Sequence, residues 1–286
     1  MKVAVIGSGG FIGKALVARL SCDGVDVAPF SSQSGNMFDS STGILNDDFK
    51  LPQGTTCVVY LAQSPFYRQM PEKASHLWGV NVISAMKVAE LARKAGVTRF
   101  IYASTGNVYS PSFLPLSETH ELRRDDWYAL SKVHAEEGLA LYGKSMSVSI
   151  ARIFGIYGPG QPDKLVPNLI KSVRSGVPIK LAPMPDDDQD CGGLRVSLCY
   201  IDDAIDVFIR MLGQTETDIV NIAGPEVLSI RDIAQSIGKE LGTPPLLEVG
   251  TQPRPFDLVA DVAKLVKLFG PRFTPFSEGI RRTLEV

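Results

Sequence analysis

Lys2-Val3-Ala4-Val5-Ile6-Gly7-Ser8-Gly9-Gly10-Phe11-Ile12-Gly13 is the stretch that decides the fold. Its first five residues form a short apolar run of strand type. Gly7, Gly10 and Gly13 follow, and Ile12, Ala15, Leu16 and Leu20 then recur on one helical face. A strand, a glycine-rich turn and a helix, in that order, predict a phosphate cradle. The start of a helix offers unpaired backbone N–H groups at the positive end of its dipole. Glycines let the backbone reach a pyrophosphate and let the helix pack closely on the strand. The spacing is G-x-x-G-x-x-G, not the G-x-G-x-x-G of most dinucleotide dehydrogenases. The bland alternative is a tight strand-to-helix turn with no ligand.

Outward from this stretch the first half alternates strands and helices. Val25–Phe30, Cys57–Ala62, Arg99–Ser104 and Ser147–Arg152 read as strands, and 80–94 and 128–142 as helices, the first ending at Gly96. Apolar strands between amphipathic helices imply a parallel sheet covered on both faces, with ligands at the carboxyl ends of the strands. The fold class is α/β: a Rossmann-type doubly wound parallel sheet with a smaller C-terminal substrate-binding lobe. The boundaries are 1–155 for the dinucleotide-binding domain, with 199–224 returning to it, and 156–286 for a mixed α/β lobe. Residues 31–53 hold at most one short strand near Gly43-Ile44-Leu45. Ile201–Leu212 and Ser229–Leu241 read as helices. The acidic loop Asp186-Asp187-Asp188-Gln189-Asp190 reads as a solvated turn, since the rest of a cation-binding pattern is missing.

The 286 residues carry a formal net charge of -2 and no long basic run, which argues against nucleic acid or an anionic membrane as the main partner. No apolar stretch approaches the length of a membrane span, and the N-terminus begins directly with a strand, without a signal-peptide pattern. Cys22, Cys57, Cys191 and Cys199 lack metal-ligand spacing, as do His76, His120 and His134. The reading is reduced thiols, no metal and a cytoplasmic location.

Chemistry enters at Tyr128-Ala-Leu-Ser-Lys132. A spacing of four puts both side chains on one helical face. An ammonium near a phenol favours the phenolate and lowers the tyrosine pKa, so Tyr128 could exchange a proton with an alcohol. Ser104-Thr105-Gly106-Asn107-Val108-Tyr109 follows a strand, where hydroxyls face the ligand crevice. Thr105 could bond the same substrate oxygen as Tyr128, or it could cap local backbone.

With these residues in place, the chain resembles the extended short-chain dehydrogenase/reductases, the NAD-dependent epimerase/dehydratase group acting on nucleotide sugars. The resemblance runs through Gly7–Gly13, Leu61-Ala62-Gln63, Asn81-Val82, Thr105 before Val108-Tyr109, and Tyr128 with Lys132. It continues through Arg152-Ile-Phe-Gly-Ile-Tyr-Gly-Pro159, Arg195 before Asp202-Asp203, and Arg254-Pro-Phe-Asp257 before Asp261 and Lys264. It implies a catalytic set of Thr105, Tyr128 and Lys132. It implies cofactor contacts at Gly7, Gly10, Phe11, Ile12, Gly13, Ser31, Leu61, Ala62, Asn81, Tyr128, Lys132 and the backbone near Phe154. Substrate contacts fall on Thr105, Asn107, Arg195 and Arg254, the two arginines on a diphosphate; surface or interdomain ion pairs are their alternative role. A homodimer through the helices near 80–94 and 128–142 is implied by analogy.

Departures from the family pattern bear on function. Ser31 stands where NAD-preferring members carry an acidic residue, yet no Arg or Lys lies between Arg19 and Lys50 to meet a 2′-phosphate. NAD and NADP both stay open, with the balance slightly to NADP. Gly155 replaces the Asn of R-x-x-N-V-Y-G-P, and Gly106-Asn107 replaces the Asp-Glu of 4,6-dehydratases. The short length suggests a trimmed substrate lobe. The sequence therefore points to an NAD(P)-dependent sugar-nucleotide epimerase or 4-keto-sugar reductase. Two alternatives are an NAD(P)-dependent enzyme acting on a non-nucleotide substrate and a non-catalytic dinucleotide-sensing protein.

Overall fold

β1 (Lys2–Ile6) is almost wholly buried, as a continuous apolar run in a two-faced sheet must be. Gly7–Gly10 turns the chain into α1 (Phe11–Cys22), whose Gly13, Leu16 and Leu20 face inward. β2 (Asp26–Phe30) pairs parallel with β1 and places Pro29 opposite Val5. A proline is tolerated there because β2 is the edge strand, where a missing donor breaks no inner ladder. β3 (Cys57–Tyr60) pairs with the other side of β1. The chain thus leaves β1 for one neighbour and crosses back to the other, and a crevice opens at the carboxyl end of β1. The glycine turn sits at that switch point. The computed structural model describes residues 1–32, 37–187 and 189–285.

α2 (Ala74–Trp78) runs into a π-helical turn at Gly79–Ser84 and then into α3 (Ala85–Lys94), so the single helix expected over 80–94 is broken at its start. Backbone carbonyls of this π turn take hydrogen bonds from outside the helix. Two buried tyrosines supply them: Tyr60 donates to Val80 O at 2.6 Å and Tyr102 to Asn81 O at 2.9 Å. Gly79 is required, because a Cβ there would lie 1.8 Å from Thr42 O. Residues 37–53 contain only an isolated bridge, Phe38 with Leu45, among the described residues.

β4 (Arg99–Thr105), α4 (Trp127–Ala140) and β5 (Ser147–Ile153) follow. β6 (Gly155–Tyr157), α5 (Leu165–Ser175), β7 (Ile179–Leu181), β8 (Arg195–Tyr200) and α6 (Ile201–Leu212) come next. The remaining elements are β9 (Asp218–Ile222), β10 (Val227–Ser229), α7 (Ile230–Leu241), β11 (Leu247–Val249), α8 (Ala263–Phe269) and α9 (Phe276–Leu284). The main sheet has the order β2-β1-β3-β4-β5-β9, and smaller sheets have the orders β10-β8-β6 and β11-β7. α7 opens with a capping box, in which Ser229 and Asp232 satisfy each other's backbone N–H groups.

The chain divides into two compact units. The first comprises 1–109, 121–152 and 205–220; the second comprises 110–120, 153–204 and 221–286. The first is built on a core of Ala4, Ile6, Val58, Tyr60, Phe100 and Tyr102 with the inner faces of α3 and α4. No helix among the described residues is long and apolar enough to cross a membrane. No group of three or more His, Cys, Asp or Glu among them could hold a metal ion.

Candidate active site

The glycine turn fits a pyrophosphate for reasons specific to each position. Gly7 has φ +93°, and a Cβ there would lie 2.6 Å from Ala62 N. A side chain at Gly13 would meet Gly7 O at 2.3 Å, so that glycine lets α1 close onto the turn. Gly10 is different: its nearest neighbour would be 3.4 Å away, so the fold tolerates a side chain there. What a Cβ at Gly10 would fill is the open space in front of the helix start. No side chain caps α1, and its first turn carries no acidic residue. Its leading N–H groups, at the positive end of the dipole, suit an anion. Ser31 lies just past β2 and is half-buried. Leu61 and Ala62 border Gly7.

Asn81 opens no free polar atom to solvent: its side chain is used within the protein. It is fully buried, its Oδ1 accepts from Ser64 N at 3.3 Å, and its Nδ2 donates to Ser131 Oγ at 3.0 Å. Its amide braces α4 from behind. Phe154, in the second unit, is buried, and its N–H donates to Ile222 O.

α4 is anchored at its first turn by Asp126, whose carboxylate accepts from Ala129 N at 2.8 Å. That cap sets Tyr128 at the helix start and Lys132 one turn on. Tyr128 donates to Gln63 Oε1 at 3.0 Å, and its ring lies 5.4 Å from that of Tyr67. Burial pushes the Tyr128 phenol well above its ordinary value, and a side-chain hydrogen bond with Thr105 works against that push. The structure therefore brings the Thr105 and Tyr128 hydroxyls together. Thr105 also accepts from Asn107 N at 3.2 Å, so it caps the turn and faces Tyr128 at once. Asn107 itself is exposed.

Lys132 corrects one expectation. Its ammonium does not hold the Tyr128 phenolate. It is 2 % exposed, donates to Ala103 O at 2.8 Å, and lies 4.7 Å from the centre of the Tyr102 ring. Burial lowers its pKa to about 7. One turn further, Glu136 accepts from Ser104 Oγ and from Arg152, whose closest contact is 2.6 Å. Arg152 also donates to Tyr109 OH at 3.1 Å. From the sequence, Gln63 figures only within the Leu61-Ala62-Gln63 motif, with no role of its own, and Glu136 does not figure at all. The second carries a usable signal, since it continues the Tyr128, Lys132 spacing by another four residues.

In the second unit Arg195 and Arg254 converge on Asp190. Arg195 NH2 lies 2.6 Å and Arg254 NH2 2.8 Å from Asp190 Oδ2. Arg254 also binds Asp257 through Nε at 2.7 Å, while its NH1 is buried and has no hydrogen-bond partner among the described residues. The guanidinium of Arg254 holds the Asp190 carboxyl below its ordinary value. The acidic loop is thus not wholly a solvated turn, because its last aspartate is an ion-pair partner. Asp188 lies outside the described residues. Gly155 has Leu198 beside it, and a Cβ there would come within 2.4 Å of Leu198 Cδ2.

The NAD dependent epimerase/dehydratase family model matches residues 3–223. The chain belongs to this family. It is an enzyme of the extended short-chain dehydrogenase type, in the group that acts on nucleotide sugars. It is 26% identical to the uncharacterized UDP-glucose epimerase YtcB of Bacillus subtilis, over 94% of this chain and 92% of that protein. It is 25% identical to the UDP-glucose 4-epimerase of Mycolicibacterium smegmatis, over 85% of this chain and 84% of that one. Among solved structures it is similar to the Thermus thermophilus UDP-glucose 4-epimerase in complex with NAD, at a TM-score of 0.78 and 25% identity. That match covers 100% of this chain and 98% of the other. The trimmed lobe suggested by length is not seen against this neighbour.

Proposed function

We propose that this family member is a sugar-nucleotide epimerase or 4-keto-sugar reductase working through Thr105, Tyr128 and Lys132. The observation that carries the reading is the meeting of the Thr105 and Tyr128 hydroxyls, with buried Lys132 one helical turn away. Tyr128 takes the proton of a sugar carbinol, or returns it to the ketone oxygen. Thr105 donates to or accepts from the same oxygen and fixes its direction. Lys132, buried one helical turn on, is available to a ribose hydroxyl. The dinucleotide, held at Gly7, Gly10, Phe11, Ile12 and Gly13, supplies a hydride acceptor and donor. Gly10 keeps the space in front of α1 clear for its phosphates.

The absence of any Arg or Lys between Arg19 and Lys50, and the NAD bound by the Thermus relative, favour NAD over the NADP that Ser31 alone would allow. Arg195 and Arg254 are the proposed diphosphate ligands, and the unpaired NH1 of Arg254 supports this role. The names of the relatives favour a UDP-hexose and epimerisation at C4.

The deciding experiment incubates the protein with UDP-glucose and NAD and follows the sugar by NMR. Appearance of the C4 epimer without net NADH supports the epimerase. Stoichiometric NAD(P)H consumption with a 4-keto sugar nucleotide supports the reductase. Neither conversion nor consumption overturns both. A second reading, a reductase or dehydrogenase of a non-nucleotide substrate, is favoured by Gly155 in place of the Asn of the family pattern, with Leu198 beside it, and by the carboxylate already held by both arginines. Lack of UDP binding would select it.

A further inference from the structure

We infer that Glu136 is a positioning residue that holds Lys132 in its charged state, and that Arg152 sets how strongly it does so. Glu136 is 4 % exposed and follows Lys132 by one turn of α4. Its carboxylate has four hydrogen bonds: one from Ser104, the neighbour of Thr105 on β4, and three from Arg152 on β5. Lys132 and Glu136 are thus opposite charges on one buried helical face, each fixed by strand partners.

The surroundings of Lys132 otherwise work against its charge. Burial is the main cause of its lowered pKa, and Glu136 is the one charge acting in the opposite direction. The groups around the pair are Tyr128 on α4, Tyr102 and Ser104 on β4, Arg152 on β5, and Tyr109 beyond β4. Tyr128 and Tyr102 have their phenols pushed up by burial, so neither supplies a negative charge near neutral pH. Only Glu136 among these carries one. Arg152 offsets part of that charge, and its guanidinium also lies 4.9 Å from the centre of the Tyr109 ring.

A buried pair of this kind has an ordinary explanation as a fold support. The two roles separate by sign. Removing the carboxylate in Glu136→Gln withdraws support from the Lys132 ammonium. Removing the guanidinium in Arg152→Met leaves the carboxylate less neutralised and strengthens that support. Both substitutions destabilise the fold, but they move Lys132 in opposite directions.

The inference rests on Lys132 being the lysine of the proposed site. Its test does not require turnover. The protein is produced with 13C-labelled lysine, the Lys132 Cε resonance is assigned by its loss in Lys132→Met, and its titration is followed by NMR in the cofactor-free protein. Glu136→Gln should move the Lys132 midpoint to lower pH and Arg152→Met to higher pH, with Glu136→Asp restoring the original position. Ser104→Ala keeps both charges and serves if either variant fails to fold. It removes one of the four hydrogen bonds to Glu136, leaving those from Arg152, and should move the midpoint to higher pH. Unchanged midpoints in the folded variants, or shifts of the same sign, would overturn the inference and leave Glu136 a fold support. Failure of sugar conversion with the expected titrations intact would count against the proposed reaction alone.

Discussion

Arg152 and Arg254 are both buried and both paired with carboxylates, yet one network is complete and the other is not. Every nitrogen of Arg152 is used: Nε and NH2 on Glu136, and NH1 on Tyr109. Arg254 engages Asp257 and Asp190 through Nε and NH2, but its NH1 is buried with no hydrogen-bond partner among the described residues. An orphaned charged donor forgoes about 1–3 kcal/mol that a partner would return. A complete network reads as scaffold for neighbouring chemistry; an incomplete one reads as a place for an incoming anion. The first unit should therefore respond to substitution in rate and stability, and the second in ligand affinity.

The largest effect belongs to Tyr128→Phe. Loss of the phenolic proton carrier should lower kcat by about 10²–10⁴, while dinucleotide affinity, measured by calorimetry, stays as it was. Undiminished turnover would remove Tyr128 from the reaction and with it the chemical half of the comparison. Next comes stability. Glu136→Gln leaves Arg152 buried without its counter-charge and should cost about 3–5 kcal/mol in urea unfolding. Arg195→Ala, at a side chain 45% exposed, should cost no more than about 1 kcal/mol. Equal losses would mean that the two arginine clusters are scaffold alike.

The sequence was legible where one short-range rule decided the structure. Gly7–Gly13 and the apolar strands announced the sheet because strand, turn and helix periodicities are local. The Tyr128, Lys132 spacing announced a shared face for the same reason. The π turn at Gly79–Ser84 was not legible, since its carbonyls are satisfied by Tyr60 and Tyr102 from strands far along the chain. Asp190 was misread because an acidic loop looks solvated until Arg195 and Arg254 are seen to converge on it. The presumed influence of Lys132 on Tyr128 failed on direction. Adjacent turns put the two residues on one face, but the ammonium is drawn to Ala103 O and the Tyr102 ring.

A smaller effect sharpens the reading of the second unit. Asp190 occupies both arginines, so a diphosphate must compete with a carboxylate of the protein itself. Asp190→Asn should tighten UDP binding, whereas Arg195→Ala should weaken it roughly 10-fold, the value of a charge-assisted hydrogen bond. Both changes should shrink as salt is raised, because Arg195 is half in solvent. Titration calorimetry at two salt concentrations reads both. If neither variant changes UDP affinity, the incomplete network of Arg254 serves some other ligand, and the non-nucleotide reading gains.

The smallest expected effect lies at Gln63, the one side chain that Tyr128 is seen to bond directly through a carbonyl oxygen. A phenol that donates to an acceptor is stabilised in its neutral form, which adds to the upward push of burial. In Gln63→Ala that acceptor is gone, and the phenolate becomes easier to reach. The rise of rate with pH in carbinol oxidation, which follows the phenolate fraction, should then move to lower pH. A neutral hydrogen bond at an exposed glutamine contributes about 0.5–1.5 kcal/mol, so the displacement should not exceed about one pH unit. The opposite displacement would show that the Gln63 amide turns over in the working enzyme and donates its N–H to the phenolate. In that case Gln63 would support the base, and the hydrogen bond of the resting protein would be the one broken at the start of each turnover.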